Sequence, residues 1–504
     1  MVSINAASGG NLALVDLLLI GTYGFAVIGI GWFFAWRMKT ARQFITAGGS
    51  IPGWAAGLAV MSAYTSSISY IATPGKAYDA DWHPLLFALC MIPVVWLVVL
   101  RIIPLYRNLQ LVSVYAFLES RLGSWARVYG ALSFLLYMIS RMAVILYLVA
   151  LLIQPFIGGN IVWAILLIGL LTILYTQLGG VEAVIWTDVL QAAVMLGGMV
   201  LTIFLLVQKV YLPDVGLLHK AWDAGKFSLG STEYSLGERT IWVMLLYGLS
   251  ENLRNLIADQ NYVQKYNAVS DTHAAAGSLR LATAIYVALT FGFLFIGTSL
   301  YLFYLPEGSL PTSVVKGDQV FPHFIGTQLP IGVKGLILAA IVAAAMSTVD
   351  SALNCSATVI WVDFLGGWFP EGSGESGKLQ ILRAATWVIG LLGTGFALWM
   401  VRARSALDLW WQLSGIFGGA VLGLFLLALL RVQLSRWQGL ACLLAGVGTI
   451  FWVTFARNAQ EPLGIWHCTL DPILAGVVGT MTILGTGIAT HVICRGLALR
   501  GNPR

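Results

Sequence analysis

Thirteen stretches of this chain are long and apolar enough to cross a lipid bilayer, and little sequence is left between them. A spanning helix needs about 20 apolar residues. Such runs occupy 13–36, 50–77, 82–104, 122–154, 159–178, 180–210, 239–265, 273–305, 332–362, 380–402, 405–431, 434–457 and 472–497. Several exceed the minimum, which predicts tilt, kinks or cytoplasmic extensions. Inside lipid the backbone must satisfy its own hydrogen bonds, so the fold class is an all-α polytopic membrane protein. No intervening loop is large enough for a second domain, so residues 1–504 read as a single membrane domain.

Composition agrees. Only 10% of the residues are charged and 59% are hydrophobic, whereas a soluble domain carries roughly 25% charged residues. A cytosolic enzyme, a disordered scaffold and a secreted disulfide domain are excluded. The net charge of +6 reads as basic loops on the cytoplasmic side of a membrane, with no nucleic-acid partner. Cys90, Cys355, Cys442, Cys468 and Cys494 form no CxxC pair, so neither a disulfide framework nor a zinc site is expected. The first segment is too long for a signal-peptide core and lacks an A-x-A site behind it, so it is expected to remain as a helix.

Lysine and arginine set the expected orientation. With the N-terminus outside, Arg37, Lys39 and Arg42 fall in the cytoplasm. So do Arg101, Arg107, Arg121, Lys265, Lys378, Arg383, Arg431 and Arg436, and the tail with Arg495, Arg500 and Arg504. Arg402 and Arg404 argue the other way. The balance predicts a multi-pass protein of the cell inner membrane with its C-terminus cytoplasmic. Loops 211–238 and 306–331 are then extracytoplasmic, and amphipathic enough for short surface helices or lids.

Among the 55 glycines, most are expected to serve helix packing. The pairs Gly179-Gly180 and Gly418-Gly419 also mark candidate helix breaks. Residues 372–378, Gly-Ser-Gly-Glu-Ser-Gly-Lys, imitate a phosphate-binding loop, but Leu379 stands where Ser or Thr would reach magnesium and no strand precedes it. They read as a flexible cytoplasmic loop. No H-E-x-x-H or G-x-S-x-G motif occurs, so no enzyme is expected.

Polar residues inside membrane helices are costly and therefore functional candidates. Ser62, Tyr64, Thr65, Ser66, Ser67 and Ser69 interrupt the second segment, with Thr73-Pro74-Gly75 further along. This pattern predicts a discontinuous helix whose exposed carbonyls line a cavity. In the ninth segment Ala344, Ser347, Thr348 and Ser351 share one helix face by their i, i+3, i+4, i+7 spacing, with Asp350 next to it and Asn354 beyond. Such oxygens suit a hard cation, sodium rather than zinc or copper. Asp188 is either a second carboxylate for a cation or the partner of a cationic side chain. Arg141, midway along the fourth segment, offers a planar fork for a carboxylate or forms a structural ion pair. Glu251 and Arg254 are i, i+3 neighbours that neutralise each other.

At these residues the chain resembles the sodium/solute symporter family, which includes sodium-coupled sugar, proline and sialic acid transporters. Residues 179–191 are similar to its G-G-x-x-A-V-x-x-T-D-x-x-Q signature, and Ala47-Gly48-Gly49-Ser50-Ile51-Pro52-Gly53-Trp54, Ser347-Thr348 and Leu353-Asn354 support it. The resemblance implies an inverted five-helix repeat (LeuT-like), with an extra N-terminal helix and two C-terminal helices. The core repeats would cover roughly 50–265 and 273–431. It implies a sodium site from the backbone oxygens of Ser62, Thr65 and Ala344 and the side chains of Ser347 and Thr348. A second sodium site would map to Ser347, Asp350, Ser351 and Asp188. Sialic-acid-type members carry serine where this chain has Asp350, and the extra carboxylate tightens a second cation, takes a proton, or replaces the cation through a salt bridge.

Ser140-Arg141-Met-Ala-Val-Ile-Leu-Tyr147 is similar to the sialic acid transporters, in which the arginine holds the sugar-acid carboxylate. Ser66 and Ser69 match substrate-contacting positions there. Tyr64 replaces a threonine and Ala88 a glutamine, which implies a smaller or differently shaped pocket. The expected function is sodium-coupled symport of a small anionic solute, sialic acid or a similar carboxylate, by alternating access. A neutral sugar or amino acid is the alternative solute. A cation channel or receptor-like protein and an intramembrane enzyme are the readings from other classes.

Overall fold

The computed structural model describes residues 12–157, 160–211, 216–306, 310–312, 314–366, 374–401, 406–458 and 467–500. Within them the chain is helical, apart from loops and one isolated backbone bridge between Ile51 and Val269. Helix α1 (Leu14–Arg37) is followed by the short α2 (Ala41–Thr46) and by a span in two pieces, α3 (Gly53–Tyr64) and α4 (Ser67–Asp79). The third span joins α5 (Pro84–Leu97) to α6 (Ile103–Asn108), and α7 (Tyr115–Leu122) leads into the long α8 (Ser124–Ile157). Helix α9 runs over Ile161–Leu206, and α10 (Leu217–Asp223) lies in the loop after it. A second span in two pieces follows, α11 (Ile241–Ala258) and α12 (Gln260–Asn267). The chain continues as α13 (Thr272–Phe303), the loop helix α14 (Gly317–Gln328), α15 (Val333–Val359) and α16 (Glu375–Met400). It ends with α17 (Ala406–Leu429), α18 (Arg436–Asn458) and α19 (Ala475–Arg500).

Among the described residues nine helices are by themselves long and apolar enough to span a membrane. The two divided spans are not among them: α3, α4 and α12 are short, at 12, 13 and 8 residues, and α11, at 18, is made too polar by Glu251, Asn252, Arg254 and Asn255. A third case is Ile161–Tyr211, counted once although it has 51 residues. Straight, it would reach about 76 Å, more than twice the ~30 Å hydrocarbon core. Gly180 resolves the excess. Its φ of 57° and ψ of −159° interrupt the helix. Tyr175 Oη and Thr187 Oγ1 then both donate to Oδ2 of Asp350, at 2.7 and 3.3 Å. Twelve residues of straight helix would hold them about 18 Å apart along the axis. The chain therefore turns back at Gly180 and supplies two spans.

That conformation belongs almost exclusively to glycine, and an added Cβ would lie 2.8 Å from Phe44 Cα. Gly180→Ala is expected to cost about 1–3 kcal/mol from backbone strain alone, read as a lower unfolding temperature in detergent. An unchanged midpoint would mean the turn carries no strain. Gly418 and Gly419 play the other role. They sit within α17, where Gly419 packs against the backbone of Gly476, so that pair serves packing and not a break.

Helix α15 is the centre of the bundle. Its most apolar window is 89% buried, against 22% for α1, which faces outward along most of its length. Around α15 pack α9, α8, α1 and α16. The loops expected to hold surface helices contain α10 and α14. The phosphate-loop imitation is only partly a loop: residues 372–373 lie outside the described residues, but Glu375 to Lys378 open α16. There Lys378 pairs with Glu375 at 3.0 Å, and Glu375 also accepts the Ala41 N–H at 2.8 Å. Arg402, Arg404 and Arg504 lie outside the described residues.

Candidate ion and solute site at two broken helices

The predicted discontinuity is present, and it falls at the hydroxyl cluster and not at Pro74. Thr65 and Ser66 adopt extended conformations (ψ 102° and 172°) between α3 and α4, while Pro74 and Gly75 are accommodated inside α4. Thr65 N–H donates back to the carbonyls of Met61 and Ser62. The last carbonyls of α3 then need other donors, as at any helix end. Arg141 of α8 supplies one: its Nη2 donates to the Ala63 carbonyl at 2.9 Å, and Tyr262 Oη of α12 donates to the same oxygen at 3.4 Å. A guanidinium there also faces the negative end of the α3 dipole.

The second break, at Asp259, is absent from the sequence reading. Asp259 is extended, and its Oδ1 accepts the Asn261 N–H at 2.9 Å, capping α12. The available signal was the polar run Asp259-Gln260-Asn261 directly after the apolar Leu256-Ile257-Ala258, with aspartate as a favoured N-cap. Arg254 supports this break. It donates to both oxygens of Glu251, at 2.5 and 3.0 Å, as the i, i+3 spacing suggested. Its Nη1 also lies 3.5 Å from Asp259 Oδ2, and the guanidinium covers the Tyr137 ring at 4.7 Å.

Around the first break sit the candidate solute residues. Arg141 and Ser66 are each 8% exposed and Tyr64 is 7% exposed. The Tyr64 ring lies against Tyr262 and Tyr286, with centroids 4.5 and 5.1 Å away. Ser69 is half-buried one turn further along α4. Within two residues of each break a polar side chain is buried without a hydrogen-bond partner, Ser67 Oγ at the first and the Asn261 amide at the second. Buried polar groups are nearly always bonded, so these positions favour a polar guest.

The expected sodium ligands gather between α3 and α15. Ser62 Oγ and Ser347 Oγ share a hydrogen bond of 2.6 Å, and Thr348 Oγ1 donates to the Ala344 carbonyl at 3.1 Å. All of these residues and Thr65 are buried. Hydroxyl and carbonyl oxygens of this kind match a hard cation.

One turn along α15, Asp188, Ser347, Asp350 and Ser351 are linked by hydrogen bonds, and two of them, Asp188 and Ser351, meet on a residue that the sequence reading places elsewhere. Lys265, counted there as a cytoplasmic loop charge, is 2% exposed. It extends from α12 into the bundle. Its Nζ donates to Asp188 Oδ2 at 2.8 Å, Ser351 Oγ at 2.7 Å and the Ala59 carbonyl at 3.0 Å. The correction has a simple cause. Because the span breaks at Asp259, its second half is a short inward-packed helix, and its last turn lies within the protein. Ser347 Oγ donates to the other oxygen of Asp188. Asp350 is held separately, accepting from Tyr175, Thr187 and Ser351.

The sequence profile of the sodium:solute symporter family matches residues 44–446. The chain belongs to that family. It is 32% identical over 498 residues to the sodium/sialic acid symporter NanT of Aliivibrio fischeri, covering 97% of this chain and 94% of that one. It is also 32% identical to the sodium/sialic acid symporter SiaT of Proteus mirabilis, covering 95% of each. A solved structure of a substrate-bound, outward-open Na+-coupled sialic acid symporter superposes with a TM-score of 0.88 at 30% identity, over 95% of this chain and 98% of that one. Mhp1, a nucleobase-cation-symport-1 family transporter, shares the fold alone, with a TM-score of 0.57 at 14% identity over 91% of this chain and 95% of that one. The symporter thus has the LeuT-like inverted five-helix repeat, with α1 ahead of it and α18 and α19 behind. It is a multi-pass membrane transporter and not an enzyme, and sodium is its coupling ion.

Proposed function

We propose that this symporter carries a small carboxylate-bearing solute, sialic acid or a similar sugar acid, into the cell with sodium. The observation that carries the reading is Arg141, a guanidinium buried at the broken helix with Nη2 on the Ala63 carbonyl. A planar fork is suited to a carboxylate, and the sodium/sialic acid symporters NanT and SiaT support the class of solute. In this reading Arg141 pairs with the carboxylate, Ser66 and Ser69 donate to the remaining oxygens, and Tyr64 shortens the pocket. Sodium takes the backbone oxygens of Ser62, Thr65 and Ala344 and the hydroxyls of Ser347 and Thr348. It ties α3 to α15 and so favours one state of the alternating-access cycle, the only way a ligand shifts such an equilibrium. The N-terminus lies outside and the C-terminus in the cytoplasm, following the basic loops.

The test is uptake into proteoliposomes under a sodium or a potassium gradient, with sialic acid, other sugar acids, monocarboxylates, neutral sugars and amino acids as solutes. Carboxylates are expected to enter only with sodium, and labelled solute should show counterflow, which a channel does not. Thr348→Ala is expected to raise the sodium concentration for half-maximal uptake about tenfold or more, the loss of roughly 1.4 kcal/mol. A preference for neutral solutes would remove the anionic reading. Uptake indifferent to sodium would remove the assignment of that site.

A further inference from the structure

The cluster one turn from the proposed sodium site has the composition of a cation site and already holds a cation of the protein's own. An ammonium has three N–H donors, and the structure gives Lys265 three acceptors at 2.7–3.0 Å, a carboxylate, a hydroxyl and a backbone carbonyl. These are oxygen ligands of the type a hard monovalent ion takes. They come from three elements, α9, α15 and α3, so the lysine bridges them as a bound ion would. Asp188 is fully buried and Lys265 is 2% exposed. A sodium ion on these three oxygens would have to displace the ammonium from Asp188 and so break a buried ion pair of 2.8 Å, which is strongly unfavourable. The pair also reaches the first site, since Asp188 holds Ser347 through its other oxygen, and Ser347 joins Ser62 at 2.6 Å.

We infer that the Lys265 ammonium is a tethered cation standing where a second sodium would bind, so that the transporter moves one sodium per solute, and that it positions Ser347 through Asp188 for that sodium. The inference rests on the sodium and carboxylate reading given under Proposed function. One sodium with one monoanion carries no net charge, so membrane potential does not drive the cycle. A tenfold sodium gradient then accumulates the solute at most tenfold. A second sodium would raise the ceiling to a hundredfold, and further by about fiftyfold per 100 mV.

The experiment counts sodium directly. Purified full-length protein is titrated with labelled sodium alone, without solute, and uptake of labelled sodium and sialic acid is measured in proteoliposomes with and without an inside-negative potential. The wild type is expected to bind one sodium, with a Hill coefficient near 1 and uptake unchanged by the potential. Lys265→Ala uncovers Asp188 and Ser351, and is expected to bind a second sodium and to become accelerated by the potential. Lys265→Arg keeps the charge and is expected to stay at one. Two sodium ions bound by the wild type would overturn the inference and leave the proposed function standing. A folded Lys265→Ala that still binds only one would also overturn it. If Lys265→Ala does not fold, the wild-type count and its response to potential decide alone. Absence of any sodium binding by the wild type would instead refute the proposed function.

Discussion

Arg141→Ala is expected to lower affinity for carboxylate solutes by about thirtyfold or more. Truncating one partner of a buried, hydrogen-bonded charge pair costs about 2–5 kcal/mol, and each 1.4 kcal/mol is tenfold. Arg141→Lys keeps the charge but loses the fork, so an intermediate affinity is expected. The same guanidinium bonds the Ala63 carbonyl, so the variant also loosens the end of α3, and the two effects must be separated. A solute whose carboxylate is amidated does that, because its binding should fall far less than that of the acid. Sodium binding in the absence of solute should persist. Calorimetric titration of acid and amide against both variants gives the comparison. Equal affinity of Arg141→Ala and wild type for the acid would make the arginine a structural support of the break.

The second large effect is expected at Asp188. Asp188→Ala leaves the Lys265 ammonium buried with two neutral acceptors, and breaking a buried ion pair from one side costs about 3–5 kcal/mol. Thermal unfolding in detergent should show a severe loss, or the variant should fail to accumulate. Replacing Lys265 with Met in the same chain removes the stranded charge, and a neutral pair of similar volume is often no less stable than the ion pair. The double variant should therefore melt well above Asp188→Ala, while losing the hold on Ser347 and with it sodium affinity. A double variant as unstable as the single one would show that the two groups are not coupled.

Much of this site is legible in the sequence. Six hydroxyl-bearing residues within eight positions of an apolar span cannot all be satisfied cheaply by their own helix, and the break does fall at Thr65–Ser66. The face of Ala344, Ser347, Thr348 and Ser351 follows from helical periodicity, which depends only on neighbours in sequence. From sequence Asp188 reads equally as an ion ligand or as the partner of a cation, and the fold brings Lys265 to it. The break at Asp259 is hard to see because neither Gly nor Pro lies nearby, and because polar residues on both sides, Glu251 to Asn255 and Gln260 to Lys265, keep Asp259 from standing out. Lys265 was misplaced for a linked reason: charge-counting treats a lysine at the end of an apolar run as a loop residue, and that holds only if the helix is continuous.

By itself the sequence determines that the chain lives in lipid, as all-α spans, with hydroxyls and a few charges concentrated in its interior. These properties follow from local hydrophobicity, length and periodicity, which act within a single helix. Only the tertiary structure decides which cation Asp188 faces. Lys265 and Asp188 are 77 positions apart, on helices whose meeting depends on the turn at Gly180 and the break at Asp259. Low dielectric makes that pairing energetically decisive, while nothing within either segment encodes it.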